Sequence, residues 1–256
     1  MEVPLAPLLA LVGDFLWNFL RVGAFFLAVP VFGNQLVPAR VRLLLSLAVA
    51  MALTPVLPAP VSLADFGMQH IVDLAVQIGW SIGLGFSAAI FFQLFVIAGQ
   101  FIGMQMGLGF AAMVDPGNGI QVTVWSQFFL MLVTLSFVTV NGHLVLLEIL
   151  VQGYQMGITT AGGLTGFAYN LAALGGWMFV GGVLIAIPAV VSLLIVNLSF
   201  GIMNRSAPQL NIFALGFPFS LVFGLVIIWV LLHGWTDQFT RLLADYFDLA
   251  TNAWRP

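Results

Sequence analysis

Few residues in this chain have types and spacings that could do chemistry, and most fail on inspection. His143 and Glu148 are five residues apart, whereas a zinc-hydrolase helix needs two histidines at i and i+4 with a glutamate between them. No other cluster has metal-ligand spacing, so this pair reads as a buried polar contact or a subunit contact, not a metal site. The glycines from Gly107 to Gly119 superficially resemble a phosphate cradle, but the closing Gly-Lys-Ser/Thr is missing and the chain contains no lysine. The three histidines fall in distant segments, which gives no basis for a Ser–His–Asp arrangement. Asp14 and Arg21 are seven residues apart, on one helical face but ~10 Å apart along the axis, too far for an i,i+4 pair. A charge in mid-membrane costs ~2.5–3.5 kcal/mol on insertion scales. Either each meets a partner on another helix or subunit, or both lie near the interfaces and snorkel. Asp115 is the only Asp, Glu, Lys or Arg between Leu74 and Leu147. It is an ion-site carboxylate or a turn former, and Pro116, Gly117, Asn118 and Gly119, which follow it, favour the turn. The chain is not expected to be an enzyme, and no cofactor is expected.

Composition explains this scarcity. Of the 256 residues, 62% are hydrophobic and only 6% charged, where soluble domains carry about 25% charged residues. Such a chain cannot cover a water-facing surface and reads as a polytopic membrane protein. The net charge of −3 and the absence of lysine argue against nucleic acid. Without cysteine there are no disulfides, thiolate sites or thiol chemistry. The opening MEVPLAPLLALVGDF has Glu2 and Asp14 in place of a basic n-region, so the first helix is expected to stay with the mature protein.

About six long hydrophobic helices are expected. The first covers Leu5 to Val29. A turn from Pro30 to Arg42 follows, with Gly33, Asn34 and Pro38 as turn formers. Leu43 to Leu57 is short for a span. The third segment begins at Leu74 and meets no charge before Asp115; as one helix it would be ~60 Å long, about twice the hydrocarbon thickness. The fourth runs from Val122 to about Val151, and Gly153–Asn170 reads as an uncharged loop. The fifth, Leu171 to Met203, contains Pro188, which should kink it. The sixth starts at Leu210, contains Pro218 and runs towards an amphipathic tail. There Phe239, Leu242, Leu243, Tyr246, Phe247 and Ala250 share a face. Segments five and six form a helical hairpin with its tip at Asn204–Gln209. Arg40, Arg42 and Arg205 lie in the first and fifth connections, Asp65 and Asp73 in the second. The positive-inside rule then puts odd-numbered connections in the cytoplasm and both termini outside.

The stretch GQFIGMQMGLGFAAMVDPGNGIQ, Gly99 to Gln121, stands apart. Gly79 and Gly83, and then Gly99, Gly103 and Gly107, recur at four-residue spacing, which lets helix backbones approach closely. The two stripes are separated by ~2000° of helical rotation, about half a turn net, so they should face different neighbours. Gly109, Gly117 and Gly119 fit a mobile loop instead. Met104, Met106 and Met113 either fill an irregular core, the default for methionine, or, interleaved with glycine and Phe110, form a deformable apolar seal.

The pattern GQ-x-x-GMQMGLGFA-x-x-x-DP-x-x-G closely resembles the FliR family of flagellar export-gate proteins and their type III secretion counterparts. Arg21 to Ala50, the Asn141–His143 NGH and Asn204 to Pro218 (NRSAPQLNIFALGFP) agree with it, so the resemblance covers nearly the whole chain in order. It implies an all-α fold with a FliP-like part at 1–170 fused to a FliQ-like hairpin at 171–256. It implies membership of a hetero-oligomeric export gate with FliP- and FliQ-like subunits, in the bacterial inner membrane at the flagellar basal body. Unfolded export substrates would pass through its pore, and an FlhB-like protein would meet its cytoplasmic base, near Asn204, Arg205 and Pro208. The resemblance also implies that Met106–Val122 plugs the pore, with Met104, Met106, Gly107, Gly109, Phe110, Met113, Asp115, Pro116, Gly117 and Gly119 as plug or gate residues. Gly79, Gly83, Gly99 and Gly103 are the packing positions, and Asp14, Arg21, His143 and Glu148 the buried polar candidates. The alternatives are an autonomous ion-coupled transporter using Asp115 and a non-gating membrane scaffold. The Asn204–Pro218 stretch favours flagellar over injectisome use.

Overall fold

A chain this apolar can satisfy its backbone N–H and C=O groups in lipid only within helices or closed barrels, and here it uses helices. A computed structural model describes residues 5–33, 37–57, 67–108, 123–156, 161–206 and 212–252. Every regular element among them is helical: α1 (Leu5–Ala28), α2 (Pro30–Gly33), α3 (Ala39–Leu53), α4 (Met68–Gln105), α5 (Val124–Thr139), α6 (Gly142–Gln155), α7 (Ala161–Ser206), α8 (Ile212–His233) and α9 (Trp235–Asn252). Four are long and apolar enough to cross a membrane, over Ala10–Ala28, Met68–Gln105, Thr165–Met203 and Gly216–His233. The α5–α6 pair qualifies as a fifth, bent by 67° at its break.

Several boundaries differ from those read in the sequence. The second segment is helical but only 15 residues long, so the described helices supply up to five spans where six segments were expected. The third does not break before its end: α4 runs for 38 residues, ~57 Å at 1.5 Å per residue. The fourth segment is two helices, because Asn141 takes the left-handed conformation at φ 58°, which asparagine tolerates better than most residues. The fifth segment is longer than expected, a single helix of 46 residues with Pro188 inside it. Gly153–Asn170 is not a loop throughout, since α6 extends to Gln155 and α7 begins at Ala161. Packing overrides composition there: Phe167 is buried and stacks on Trp80 with ring centroids 4.1 Å apart.

The chain divides into two compact units. The first holds the described residues of Met1–Ile90, Phe137–Leu174 and Phe247–Pro256. In it α1 packs on α2 and α3, around Val22, Phe25, Phe26 and Val29. Gly83 gives way to the Phe167 ring, and a Cβ at Gly85 would sit 2.9 Å from the Val29 nitrogen. The core contains a charge. Arg21 is only 2% exposed, and the partners it meets are neutral. Its Nη1 donates to Gln77 Oε1 at 2.9 Å, its Nη2 donates to Asn18 Oδ1, and its guanidinium lies 4.3 Å from the centre of the Tyr154 ring. Trp17 Nε1 donates to the same Gln77 oxygen at 3.0 Å, and the Tyr154 and Ser81 hydroxyls bond each other. Asp14 is half-buried and is not the partner of Arg21. Glu148 is exposed and accepts from Gln152 Nε2 at 3.2 Å. His143 is half-buried, edge-on to Phe32, and its Nδ1 has no hydrogen-bond partner among the described residues. Glu148 is therefore not a buried contact: its place on the outer face of α6 leaves it in reach of Gln152, one turn on.

The second unit holds the described residues of Phe91–Ser136 and Gly175–Tyr246. Its centre is the C-terminal part of α4, where Phe91, Leu94, Phe95, Ala98 and Ile102 are fully buried. A helix apolar on all sides is a buried helix, and the neighbours are close. Cβ atoms at Gly181 and Gly182 of α7 would strike Leu94, that at Gly182 within 2.8 Å of its carbonyl oxygen. Phe91 stacks on Tyr246 at 5.1 Å, Phe95 meets Trp235 at 5.2 Å, and Trp235 Nε1 donates to Ser136 Oγ at 2.9 Å. In α9, Phe239, Leu243, Tyr246 and Ala250 are buried while Asp237, Arg241, Asp245 and Asp248 are exposed, as the amphipathic spacing predicts.

Removing the buried guanidinium should cost more than an exposed charge would. Arg21→Ala deletes charge-assisted hydrogen bonds worth about 1.5–3 kcal/mol and opens a cavity. A loss of about 3 kcal/mol in stability is expected, read as a lower melting temperature of the purified protein in detergent. Arg241→Ala, on the exposed face of α9, should leave it within error.

Candidate functional site

The Gly99–Gln121 stretch is described at both of its ends. At the first, α4 stops in a defined way. Gly107 has φ +84°; its N–H bonds the Met104 carbonyl, and the Leu108 N–H bonds the Gly103 carbonyl, both at 3.0 Å. This pair of bonds around a left-handed glycine is a Schellman termination. Gly107, which spacing groups with Gly99 and Gly103, therefore ends the helix and does not extend the packing stripe. The physical cause is local: only glycine enters the left-handed region without a Cβ penalty.

At the second end, Thr123 starts α5 and rests on α4. Its Oγ1 accepts from the Ser126 N–H at 3.3 Å, an N-cap bond, and donates to the Gly99 carbonyl at 3.2 Å. Its N–H donates to Gln100 Oε1 at 2.9 Å. Ser126 Oγ lies 3.0 Å from both the Val96 carbonyl and Gln100 Oε1. Glycine makes this approach possible. A Cβ at Gly99 would come within 2.7 Å of Ser126 backbone atoms, and one at Gly103 within 2.7 Å of Thr123 Cβ. Thr123 and Ser126 are both buried, so these hydrogen bonds are shielded from water. Leu108 and Thr123, the described flanks of this stretch, are thus both bonded to the last turns of α4.

The hairpin helices hold the same end of α4 from another side. Met106 is 1% exposed. It fills the notch left by Gly224 of α8, where a Cβ would lie 2.7 Å from its Cγ and Sδ. Asn197 of α7 offers its Nδ2 to the Gln105 carbonyl at 3.4 Å and accepts from Ser220 Oγ of α8 at 2.8 Å. The Phe217 ring lies on Gly107, with Cδ2 3.0 Å from where a Cβ would stand. Nothing in the sequence marks Asn197, Ser220 and Gly224 as contacts of residues more than ninety positions earlier.

The candidate residues therefore separate. Met106 packs inside the fold, whereas Met104 is 56% exposed. Gly99 and Gly103 meet α5, while Gly83 meets Phe167 and Gly79 is half-buried, so the two stripes do face different neighbours. Arg205 is exposed in the last turn of α7 and Asn204 lies in the same helix. Gly109, Phe110, Met113, Asp115, Pro116, Gly117, Gly119 and Pro208 lie outside the described residues. No group of three or more His, Cys, Asp or Glu residues able to hold a metal exists among the described residues.

The comparisons with known proteins are consistent along the chain. The family described as "Bacterial export proteins, family 1" matches residues 12–246. The chain is 35% identical over 237 residues to the flagellar biosynthetic protein FliR of Escherichia coli (strain K12), covering 92% of this chain and 90% of that one. It is 34% identical over 239 residues to FliR of Pectobacterium carotovorum subsp. carotovorum, with coverages of 93% and 91%. FliR of Bacillus subtilis (strain 168) is 32% identical over 221 residues, 84% of each chain.

The termination of α4 gives a direct test. Gly107→Ala should cost about 1–2 kcal/mol, the penalty of a left-handed L-residue. Gly103→Val should cost more, because its side chain has no room beside Thr123. Thermal unfolding of the purified variants should rank them parent, Gly107→Ala, Gly103→Val in decreasing stability.

Proposed function

The chain belongs to family 1 of the bacterial export proteins, with the FliR proteins of flagellar biosynthesis, and on that premise we propose that it is a pore-forming subunit of the flagellar protein export gate and carries the segment that closes it. As a family member with several spanning helices it is a multi-pass membrane protein and a component of the flagellar export apparatus. The bacterial inner membrane is its proposed location. The observation that carries the gate reading is the double anchoring of 109–122. Both flanks of this segment are fixed to the last turns of α4, by Thr123 on Gly99 and Gly103 and by the Schellman end at Gly107. A segment held at both ends on a rigid helix can occlude a pore without being lost from it.

The proposed arrangement has a FliP-like part over 1–170 and a FliQ-like hairpin over 171–256, assembled with FliP- and FliQ-like subunits. Large exposed side chains on α7 and α8, such as Phe179, Leu184, Leu194, Phe223 and Trp229, are apolar surface for lipid or for such partners. The arginine-bearing connections face the cytoplasm, so that Asn204, Arg205 and Pro208 meet an FlhB-like protein there. In this reading Met104, exposed at the root of the segment, joins Phe110 and Met113 in an apolar seal, and Asp115 to Gly119 form a turn. Unfolded export substrates pass when the seal is displaced.

Deletion of Gly109–Gly119 in the assembled export complex should raise the permeability of membrane vesicles to small ions in the absence of substrate. Unchanged permeability would remove the plug role and leave a scaffold. Asp115→Asn separates the transporter alternative, because it should preserve export in a gate and abolish transport in an ion-coupled carrier.

A further inference from the structure

The two fastenings at the end of α4 differ in kind. On the α5 side, Thr123 and Ser126 are buried and tied to Gly99, Gln100 and Val96 by several hydrogen bonds, of 2.9 to 3.2 Å. On the α7–α8 side, the last turn is held by one long hydrogen bond, from Asn197 Nδ2 to the Gln105 carbonyl at 3.4 Å, and by a flexible thioether seated in a glycine notch. Phe217, which covers Gly107, is itself 47% exposed. Release on this side leaves few polar groups orphaned. Asn197 keeps its 2.8 Å bond from Ser220 Oγ, and the Gln105 carbonyl belongs to the final turn, where carbonyls lack an intrahelical donor in any helix. Methionine suits repeated seating because its unbranched side chain adapts to different surroundings.

We propose that Met106 in the Gly224 notch, together with the Asn197–Ser220 pair on the Gln105 carbonyl, is a releasable latch that holds the end of α4 shut and must open for export substrates to pass. The proposal rests on the gate reading. It adds positioning residues in the α7–α8 hairpin that act on the gate through α4, and it gives the hairpin a part in gating besides assembly. The α5 side stays fixed and serves as the pivot.

The absence of cysteine from the chain makes the test clean. A Cβ at residue 224 would lie 2.7 Å from Met106 Cγ, about where the sulfur of a cysteine at 106 would stand, so Met106→Cys with Gly224→Cys is within disulfide reach. In the assembled export complex, oxidation should form the intramolecular bond, lower export of substrate at least tenfold, and leave the resting vesicles tight; reduction should restore export. The reduced double variant is the reference for export, and each single-cysteine variant should export at the same rate with and without oxidant. Ser220→Ala should weaken the hold on Asn197 and raise resting ion leak several-fold, and Ser220→Thr, which keeps the hydroxyl, should bring it back. A disulfide that forms without slowing export overturns the latch, as does a Ser220→Ala complex that stays as tight as the parent. Deletion of Gly109–Gly119 separates the two readings. A leaking deletion with an ineffective lock removes the latch and keeps the plug. A tight deletion with an effective lock removes the plug and keeps the latch as a control on passage.

Discussion

Backbone-level contact along α4 is the constraint on which the described structure depends. At Gly99 and Gly103, α5 comes so near that a single methyl group would overlap it. At Gly181 and Gly182, α7 does the same against Leu94 and Ile97. Lipid is as apolar as the side chains it would replace, so helices in a membrane gain little from burying leucine against leucine. Close van der Waals contact and interhelical hydrogen bonds hold them together instead. Glycine allows both here, since the Gly99 carbonyl becomes accessible to Thr123 and the Val96 carbonyl to Ser126. Removal of the small residues would separate the helices and leave Thr123, Ser126 and Gln100 with unmet polar groups in a dry interior.

The same economy governs the charge in the core, Arg21, the one buried charge among the described residues. Arg21 is met by Gln77, Asn18 and the face of Tyr154, and no carboxylate among the described residues pairs with it. Two arms of the fork, Nη1 and Nη2, reach neutral acceptors on α4 and α1, a spread that a compact ammonium could not match, while the buried Nε has no hydrogen-bond partner among the described residues. The arrangement also orders its surroundings. Gln77 Oε1 accepts from both Trp17 and Arg21, which fixes α4 against α1 in one rotational register. In a bundle of nearly featureless apolar helices, such polar contacts discriminate between registers that dispersion forces alone leave close in energy.

The sequence disclosed those features whose cause is local. The amphipathic spacing of α9 placed Phe239, Leu243 and Tyr246 inside, and the four-residue glycine spacing anticipated close approach at Gly83, Gly99 and Gly103. The charge-free run after Leu74 was long enough for a helix that outruns a bilayer, and α4, at 38 residues, is one. Features with a distant cause stayed hidden. Gly153–Asn170 has a loop-like composition, but from Ala161 it is helical, and Phe167 there packs on Trp80 and Gly83 far back in the chain. A local cause can also stay hidden: Gly107 fits the packing stripe by count, and only its left-handed backbone reveals a terminus. Asn141 was noticed as part of a motif, and the break it creates follows from a single dihedral angle.

Met106 shows how one residue type can serve two roles within three positions. Met104 and Met106 are two residues apart on the same final turn, about 200° around the helix axis, so one must face away when the other faces the core. Burial confirms the division, at 56% and 1% exposed. A methionine cluster read as a uniform seal is therefore internally divided, with its inner member fixing the backbone from which the outer member projects. A seal needs this support, because thioethers that deform easily would not hold position on a helix end that was itself loose. The Schellman termination immediately beyond Met106 sharpens the effect. It spends the carbonyls of Gly103 and Met104 on a tight turn, so the left-handed Gly107 turns the chain out of α4 directly after the seated Met106.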